Sequence, residues 1–297
     1  MRETAEMEIV LHAGAHCTDE DRLMKCLLKN KHLFLPQGIA VPGPSRYRRL
    51  LRDAVQALAK GPPAVNARDI LLDQIVEQDG AQRVLLSSEN FFCVPKLAVS
   101  EGMFYPRAEV RIAEFEQLFA GDQLTLCLGI RNPASFLPAL FAQSPQEEFL
   151  SFLDGTDPTQ LRWSELIRRL RAAHPDVEIV VWCNEDTPLI WGSVIREVAG
   201  LEHGTKITGG FDLLSEIMSR EGMQRFRAYL HSHPVMTERQ KRRVIAAFLD
   251  KFAIEEEIEE ELDLPGWDEA YVDFLTEQYE EDVFAIERIP DVHLIAP

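Results

Sequence analysis

Four short runs of apolar residues, each followed by a stretch with helical spacing, set the pattern of the chain. The runs occupy residues 7–12, 83–87, 124–130 and 177–183. Short, continuous apolar runs are typical of strands that a sheet buries on both faces. Because helical patterns alternate with these runs, the sequence predicts a parallel sheet covered by helices on both sides, which is a three-layer α/β fold.

The rest of the pattern is helical, above all in the last third of the chain. Helical spacing is found at 45–59 with Ser45 as N-cap, and at 66–78, 107–119, 157–173, 212–231, 237–252 and 267–287. A weak last strand is predicted at 292–295. We expect residues 1–210 to form the α/β domain and residues 211–297 to form an acidic helical region packed on the same domain.

The first strand leads through a turn of small residues into a helical pattern. Gly14 and Ala15 form this turn, where the backbone can approach a neighbour or a ligand closely. From Thr18 onward the spacing predicts a helix whose apolar face includes Leu23 and Leu27. A strand, a glycine turn and a helix N-terminus together form the usual geometry for holding a phosphate group.

The composition excludes several classes of protein. The 297 residues are 46% hydrophobic and 27% charged, as in ordinary globular proteins. Five scattered cysteines without a CxxC pair favour reduced, buried thiols. No apolar run reaches the roughly 18 residues of a membrane span, and the charged first residues are unlike a signal peptide. We therefore expect a cytoplasmic protein that does not insert into a membrane.

The net charge of −18 is unevenly distributed along the chain. Residues 255–297 contain 16 Asp or Glu and one Arg. Such an acidic segment opposes binding to nucleic acid, whose phosphates need clustered Lys and Arg. The main basic cluster consists of Arg46, Arg48, Arg49 and Arg52. This cluster is either a solvated helix face or a contact for an anionic ligand.

Several segments, in their order along the chain, resemble the nucleotide-dependent sulfotransferases, particularly the bacterial members. Residues 14–21 correspond to the family loop G-x-x-K-[ST]-G-T-[ST], which grips the 5′-phosphosulfate of the donor PAPS. Residues 131–133, Arg-Asn-Pro, are similar to the site where the family's arginine holds the donor 3′-phosphate. Residues 87–89 and 182–186 also look like family landmarks. The resemblance implies the P-loop sulfotransferase type of sheet and sulfuryl transfer to a hydroxyl or amine of a small-molecule or glycan acceptor.

The resemblance also implies where the donor and the acceptor would bind. The candidate contacts to PAPS, or to its product PAP, are Gly14, Ala15, His16, Cys17, Thr18, Arg131 and Ser135. Transfer needs a base near the acceptor oxygen, and Glu89 after the second apolar run is either that base or a loop carboxylate. Arg48 is the candidate acceptor contact.

The loop departs from the family pattern at the positions that matter for an anion. Cys17 stands where the family has its phosphate-binding lysine, and Asp19 replaces a glycine. Glu20 and Asp21 replace hydroxyl residues. Three carboxylates in the first helical turn would satisfy the helix dipole from within the protein and repel a phosphate.

Two further features complete the expectation of a degraded donor site. The family has a serine eight positions after its arginine, where this chain has Ala139, and Ser135 lies at a different point of that helix. Thr18 and Asp21 match a capping pattern, so the helix is predicted to cap itself.

The histidines beside the glycine turn leave the charge of the site open. His12 and His16 could replace the missing cation when protonated, which makes His16 a candidate catalytic residue beside Glu89, or they are structural. Together with Cys17 they lack a fourth ligand at the spacing of a zinc site. Three functions remain: a sulfotransferase-like protein with a degraded donor site, an active transferase with a modified donor site, and a non-catalytic partner-binding protein.

Overall fold

A computed structural model describes residues 6–258, 264 and 266–297. The predicted α/β class is confirmed within them. The strands are β1 (Glu8–His12), β2 (Ile39–Ala40), β3 (Arg83–Ser87), β4 (Val99–Ser100), β5 (Met103–Phe104), β6 (Gln123–Ile130), β7 (Glu178–Cys183) and β8 (Val292–Ile295). The helices are α1 (Arg22–Lys29), α2 (Lys31–Phe34), α3 (Pro44–Leu58), α4 (Ala67–Ile75), α5 (Ala108–Leu118), α6 (Pro133–Ala142), α7 (Phe149–Leu153), α8 (Trp163–Ala173), α9 (Thr187–Ala199), α10 (Asp212–Ile217), α11 (Arg220–Ser232), α12 (Glu238–Phe252) and α13 (Glu269–Ile286).

One parallel sheet of six strands, in the order β2-β3-β1-β6-β7-β8, forms the middle of the described structure. The four strands predicted from apolar runs are β1, β3, β6 and β7, and they lie side by side in the centre of the sheet. Both faces are covered there, so these strands are buried along most of their length and mainly apolar. β2 and β3 are added to the sheet on one side of β1, and β6, β7 and β8 are added on the other side. The strand order therefore reverses between β1 and β6. In open α/β sheets, ligands bind beyond the carboxyl ends of the strands at such a change.

Helices cover both faces of the sheet and complete the three layers. α1 and α9 pack against each other in one helical layer, and α10 and α12 pack on the outside of α9. In the other layer α3, α5, α8 and α13 pack in succession. The weak strand predicted at 292–295 is confirmed as the edge strand β8. β2 and the hairpin of β4 and β5 have two residues per strand, too few to produce a periodic pattern.

Two predicted helix starts are wrong for local reasons. The helix predicted from residue 157 begins at Trp163, because the Asp157 side chain instead accepts a hydrogen bond from the Thr159 backbone and caps a single 3₁₀ turn. The helix predicted from Ser45 begins at Pro44 with Gly43 as N-cap, so Ser45 lies inside the first turn.

The helix predicted at 212–231 is two helices. The backbone becomes extended at Met218, which forms a β-bridge with Ala253, and the Ser219 side chain then caps α11. α10, α11 and α12 enclose a small core of their own, whose buried residues are Leu214, Met218, Met223, Phe226 and Ile245. By contrast, Leu275 and Ile286 of α13 belong to the main core. The C-terminal region therefore has two parts. α10, α11 and α12 form the small core, whereas α13 packs in the main core.

The helices of the small core and the last helix of the main core also differ in charge. α11 and α12 together contain eight Lys or Arg and three Asp or Glu, whereas α13 contains six Asp or Glu and no Lys or Arg. Residues 259–263 and 265 of the acidic segment lie outside the described residues. All five cysteines are free thiols. None of the helices in the described part of the chain is long and apolar enough to span a membrane.

Candidate functional site

The glycine turn lies at the carboxyl edge of the sheet, beside the ends of β3 and β6. The Gly14 carbonyl accepts a hydrogen bond from Gly129 of β6 at 2.6 Å, and Ala15 donates to the Gly129 carbonyl at 2.7 Å. A Cβ atom at Gly14 would lie 3.4 Å from Glu89 Cα and only 2.9 Å from the His16 nitrogen, and the φ angle of +96° also requires glycine. Gly14 therefore lies next to Glu89 at the edge of the sheet where β6 also ends.

His16 is fully buried against Tyr105. Its Nδ1 lies 2.9 Å from the Tyr105 hydroxyl, which also accepts from the His16 backbone at 3.1 Å, and its Nε2 faces the Asn90 side chain. Burial lowers the pKa of His16 to about 4. The ring is therefore neutral near pH 7, which counts against its candidate role as a replacement cation.

Arg131, the candidate contact for the 3′-phosphate of the donor, binds the backbone of Cys17. Arg131 is buried, and its Nη1 donates to the Cys17 carbonyl while its Nε donates to the Ser135 hydroxyl at 3.0 Å. Trp163 Nε1 donates to the Arg131 carbonyl at 2.8 Å. Arg131 and Ser135 therefore do lie together beside the loop, and Arg131 fastens the loop to the end of β6.

The helix after the loop begins at Arg22 rather than Thr18, and the predicted Thr18–Asp21 capping pair does not form. The Thr18 hydroxyl instead donates to the Ala15 carbonyl at 2.7 Å. Asp19 caps the helix, because its Oδ1 accepts from the Leu23 backbone at 2.7 Å. Burial raises the pKa of Asp19 above its ordinary value.

Arg48, the candidate acceptor contact, binds the loop as well. Its guanidinium donates to both carboxylate oxygens of Asp21, and its Nε donates to the Ser87 carbonyl at 2.9 Å. The hydrogen bonds from Arg48 lower the pKa of Asp21. The basic cluster around Arg48 is therefore partly neutralised by a carboxylate of this chain.

Glu89 is half-buried and faces the loop from the end of β3. Desolvation raises the pKa of Glu89, as do the nearby charges of Asp21 and Asp19, against a hydrogen bond from the Cys17 backbone that lowers it. A carboxyl group with a raised pKa is suited to accepting a proton near neutral pH. Its position and its pKa agree with the candidate role of a base.

His12, the second histidine near the loop, is also buried, and its side chain contacts other side chains of the protein core. Its Nδ1 lies 2.9 Å from the Ser87 hydroxyl, and its ring stacks on Trp182 at a centroid distance of 5.5 Å. Desolvation lowers its pKa. Among the described residues no group of three or more His, Cys, Asp or Glu is placed to hold a metal ion.

A cavity of about 640 Å³ opens next to the loop, between the sheet edge and the small helical core. Thr18 and Asp19 line it from the loop, Glu185 lines it from the end of β7, and α9, α10 and α12 complete its walls. Glu185 accepts hydrogen bonds from the Asn132 backbone at 2.7 Å and from the Tyr279 hydroxyl at 2.9 Å. The sequence reasoning missed this residue as part of a site, although its place directly after an apolar run was a usable signal.

Comparison with known proteins identifies no family for this chain. No protein-family model matches it, and no curated protein matches it either.

Proposed function

We propose that this chain is a sulfotransferase-like protein in which the donor-binding loop has become a structural loop, so that it does not bind PAPS or transfer a sulfuryl group. The resemblance in sequence is supported by a parallel α/β sheet and by the meeting of the loop, Glu89 and Arg131 at its carboxyl edge. On this proposal the protein acts through binding at that edge rather than through catalysis with PAPS.

The observation that carries the proposal is that the groups which would bind a donor phosphate are already hydrogen-bonded to other groups of this chain. Arg131 donates to the Cys17 carbonyl, and Arg48 neutralises Asp21. Asp19 takes a backbone N–H at the start of α1 that an anion would otherwise use. A phosphate at this place would meet carboxylates instead of a lysine.

The loss of donor affinity can be approximated from the missing partners. A charge-assisted hydrogen bond contributes about 1.5–3 kcal/mol, so the absence of the lysine and of the helix serine removes roughly 3–6 kcal/mol. Each 1.4 kcal/mol corresponds to about tenfold in affinity, so a micromolar site becomes millimolar or weaker. The backbone N–H that Asp19 occupies at the start of α1 is one more partner lost to a phosphate.

Titration calorimetry with PAP and PAPS tests the proposal. We expect no measurable heat of binding at a ligand concentration of about 100 μM. Cys17→Lys combined with Asp19→Gly should restore measurable PAP binding, and adding Ala139→Ser should strengthen it. Glu147→Lys, at an exposed site outside the loop, changes the net charge by the same two units and serves as control. Micromolar binding by the unmodified protein contradicts the proposal.

The raised pKa of Glu89 favours one rival, an active transferase with a modified donor site. That rival predicts that the unmodified protein binds PAP and that Glu89→Gln abolishes turnover while leaving PAP affinity unchanged. Under our proposal Glu89→Gln has no turnover to abolish. The same calorimetric titration therefore separates the two functions.

A further inference from the structure

The cavity beside the loop is walled mainly by apolar side chains. Leu189 of α9, Leu213 and Ile217 of α10, and Leu249 of α12 line it, and each of them is only partly buried. At about 640 Å³ it has the size of pockets that hold small organic molecules. An apolar cavity of this size next to a change in strand order is where an α/β protein binds a ligand.

The charged groups around these apolar walls are almost all negative. Five carboxylates line the cavity: Asp19, Glu185, Glu216, Asp250 and Glu257. Arg22 is the one Lys or Arg among its described lining residues, and it is already paired with Glu216 at 2.8 Å and with Glu20 at 3.1 Å. Burial raises the pKa of Asp19 and of Glu185, which disfavours their charged forms. The negative charge that the lining does not neutralise therefore lies above all on the exposed Asp250 and Glu257.

The carboxylates stand on different elements, which determines the kind of cation that suits them. Asp19 and Glu185 lie at the sheet edge, whereas Asp250 and Glu257 lie at and after the end of α12. No three of the described acidic side chains converge closely enough for a metal ion. A diffuse negative charge around apolar walls suits a larger cation that also has apolar surface to bury.

We propose that this cavity binds an organic amine, a ligand with a protonated nitrogen and an apolar body, with the nitrogen near the carboxylates and the body between α9, α10 and α12. The inference does not depend on the fate of the PAPS site, because an amine carries the opposite charge and its apolar body lies between α9, α10 and α12, outside the donor loop. Failure of either proposal would leave the other standing.

Three probes with one apolar body, a phenylbutyl group, test the proposal: 4-phenylbutylamine, 4-phenylbutanol and 5-phenylpentanoate. Binding is followed by calorimetry and by the fluorescence of Trp182 and Trp191, which line the cavity. We expect the amine to bind at least tenfold more tightly than the alcohol, and the carboxylate to bind more weakly than both. Affinity for the amine should fall as salt is raised, because salt screens the charges.

Variants assign the binding to the cavity. Asp250→Asn with Glu257→Gln should weaken the amine about fivefold and leave the alcohol unchanged, since the two carboxylates are exposed. Glu147→Gln with Glu148→Gln removes the same charge from an exposed segment outside the cavity and should have no effect. Ala246→Trp fills the cavity from α12 at an exposed position and should abolish binding without changing the melting temperature.

Three results would overturn the inference. Equal affinity for amine and alcohol would show an apolar pocket without charge selectivity. Tighter binding of the carboxylate would show that the cavity favours anions. The absence of amine binding up to about 10 mM in the folded, unmodified protein would show that the cavity holds no such ligand.

Discussion

His16 illustrates how burial decides the charge of a single residue in the loop. The side chain is shielded from water, and this desolvation lowers its pKa from 6.5 to about 4. Between these two values the unfolded chain takes up a proton that the folded chain excludes. The contribution of His16 to stability is therefore complete above pH 6.5 and is lost as the pH falls toward 4.

Replacement of His16 should make folding less sensitive to acid. A shift of one pKa unit corresponds to about 1.36 kcal/mol, so the wild-type protein should lose about 3 kcal/mol through this residue across that interval. In His16→Gln the loss should be smaller by about this amount, although the variant is less stable at pH 7. Denaturant unfolding at pH 7 and pH 4.5 measures the difference. His203→Gln, at an exposed site, is the control, and equal acid sensitivity of all three proteins would refute the explanation.

Asp282 shows how one helix fixes the beginning of another. The side chain belongs to α13 and is buried, and it accepts from the Trp163 backbone at 2.6 Å and from the Ser164 backbone at 3.1 Å. These N–H groups open α8 and have no partner within that helix. The carboxylate also lies at the positive end of the α8 dipole.

Asp282→Ala should therefore destabilise the protein by about 2–3 kcal/mol, because it leaves buried backbone donors without an acceptor. Asp273→Ala changes an exposed position of the same helix and should stay within about 0.5 kcal/mol of the wild type. Urea unfolding of the two variants makes the comparison. Similar midpoints for both would show that the contact to α8 contributes little.

The elements were predictable from the sequence wherever a single local pattern decided them. β1, β3, β6 and β7 are continuous apolar runs, and their parallel arrangement brings Gly14, Glu89 and Arg131 together. Local spacing could not reveal that α1 begins at Arg22, because the preceding residues are held by bonds to Arg48 and Arg131, distant in sequence.

The cavity could not be predicted from the same patterns. Its far walls belong to α10 and α12, and their position depends on a β-bridge from Met218 to Ala253 and on the core around Phe226. Such contacts join segments that have no common periodicity. Only Glu185 carried a local signal, since it follows β7 at the edge where ligands bind.

At the scale of the whole molecule, two cores of unequal size meet along α9. The small core around Phe226 joins α10, α11 and α12, whereas the main core extends through the sheet and α13. A small core supports a lower free energy of local opening than a large one. The cavity lies between the two, so opening of the small core also opens the cavity.

Phe226→Ala should unfold the small core while the sheet remains folded. Removing a fully buried phenylalanine costs about 3–5 kcal/mol, which is large for a core of this size. Hydrogen exchange should then show lost protection in α11 and α12 and unchanged protection in β1 and β6. Arg227→Ala, at an exposed position on the same helix, should change neither region. Simultaneous loss of protection in the sheet would show that the two cores unfold as one unit.

The division of charge between the two helical layers gives the molecule an electric dipole. The basic helices α11 and α12 lie on the α9 side, and the acidic helix α13 lies on the α8 side. A charged partner therefore arrives already oriented, whereas two copies, each with a net charge of −18, repel each other at low salt. At about 0.1 M salt the screening length is roughly 10 Å, shorter than the molecule, so this repulsion fades. Sedimentation at low and high salt should therefore show no association at low salt, and association that appears only at low salt would contradict this expectation.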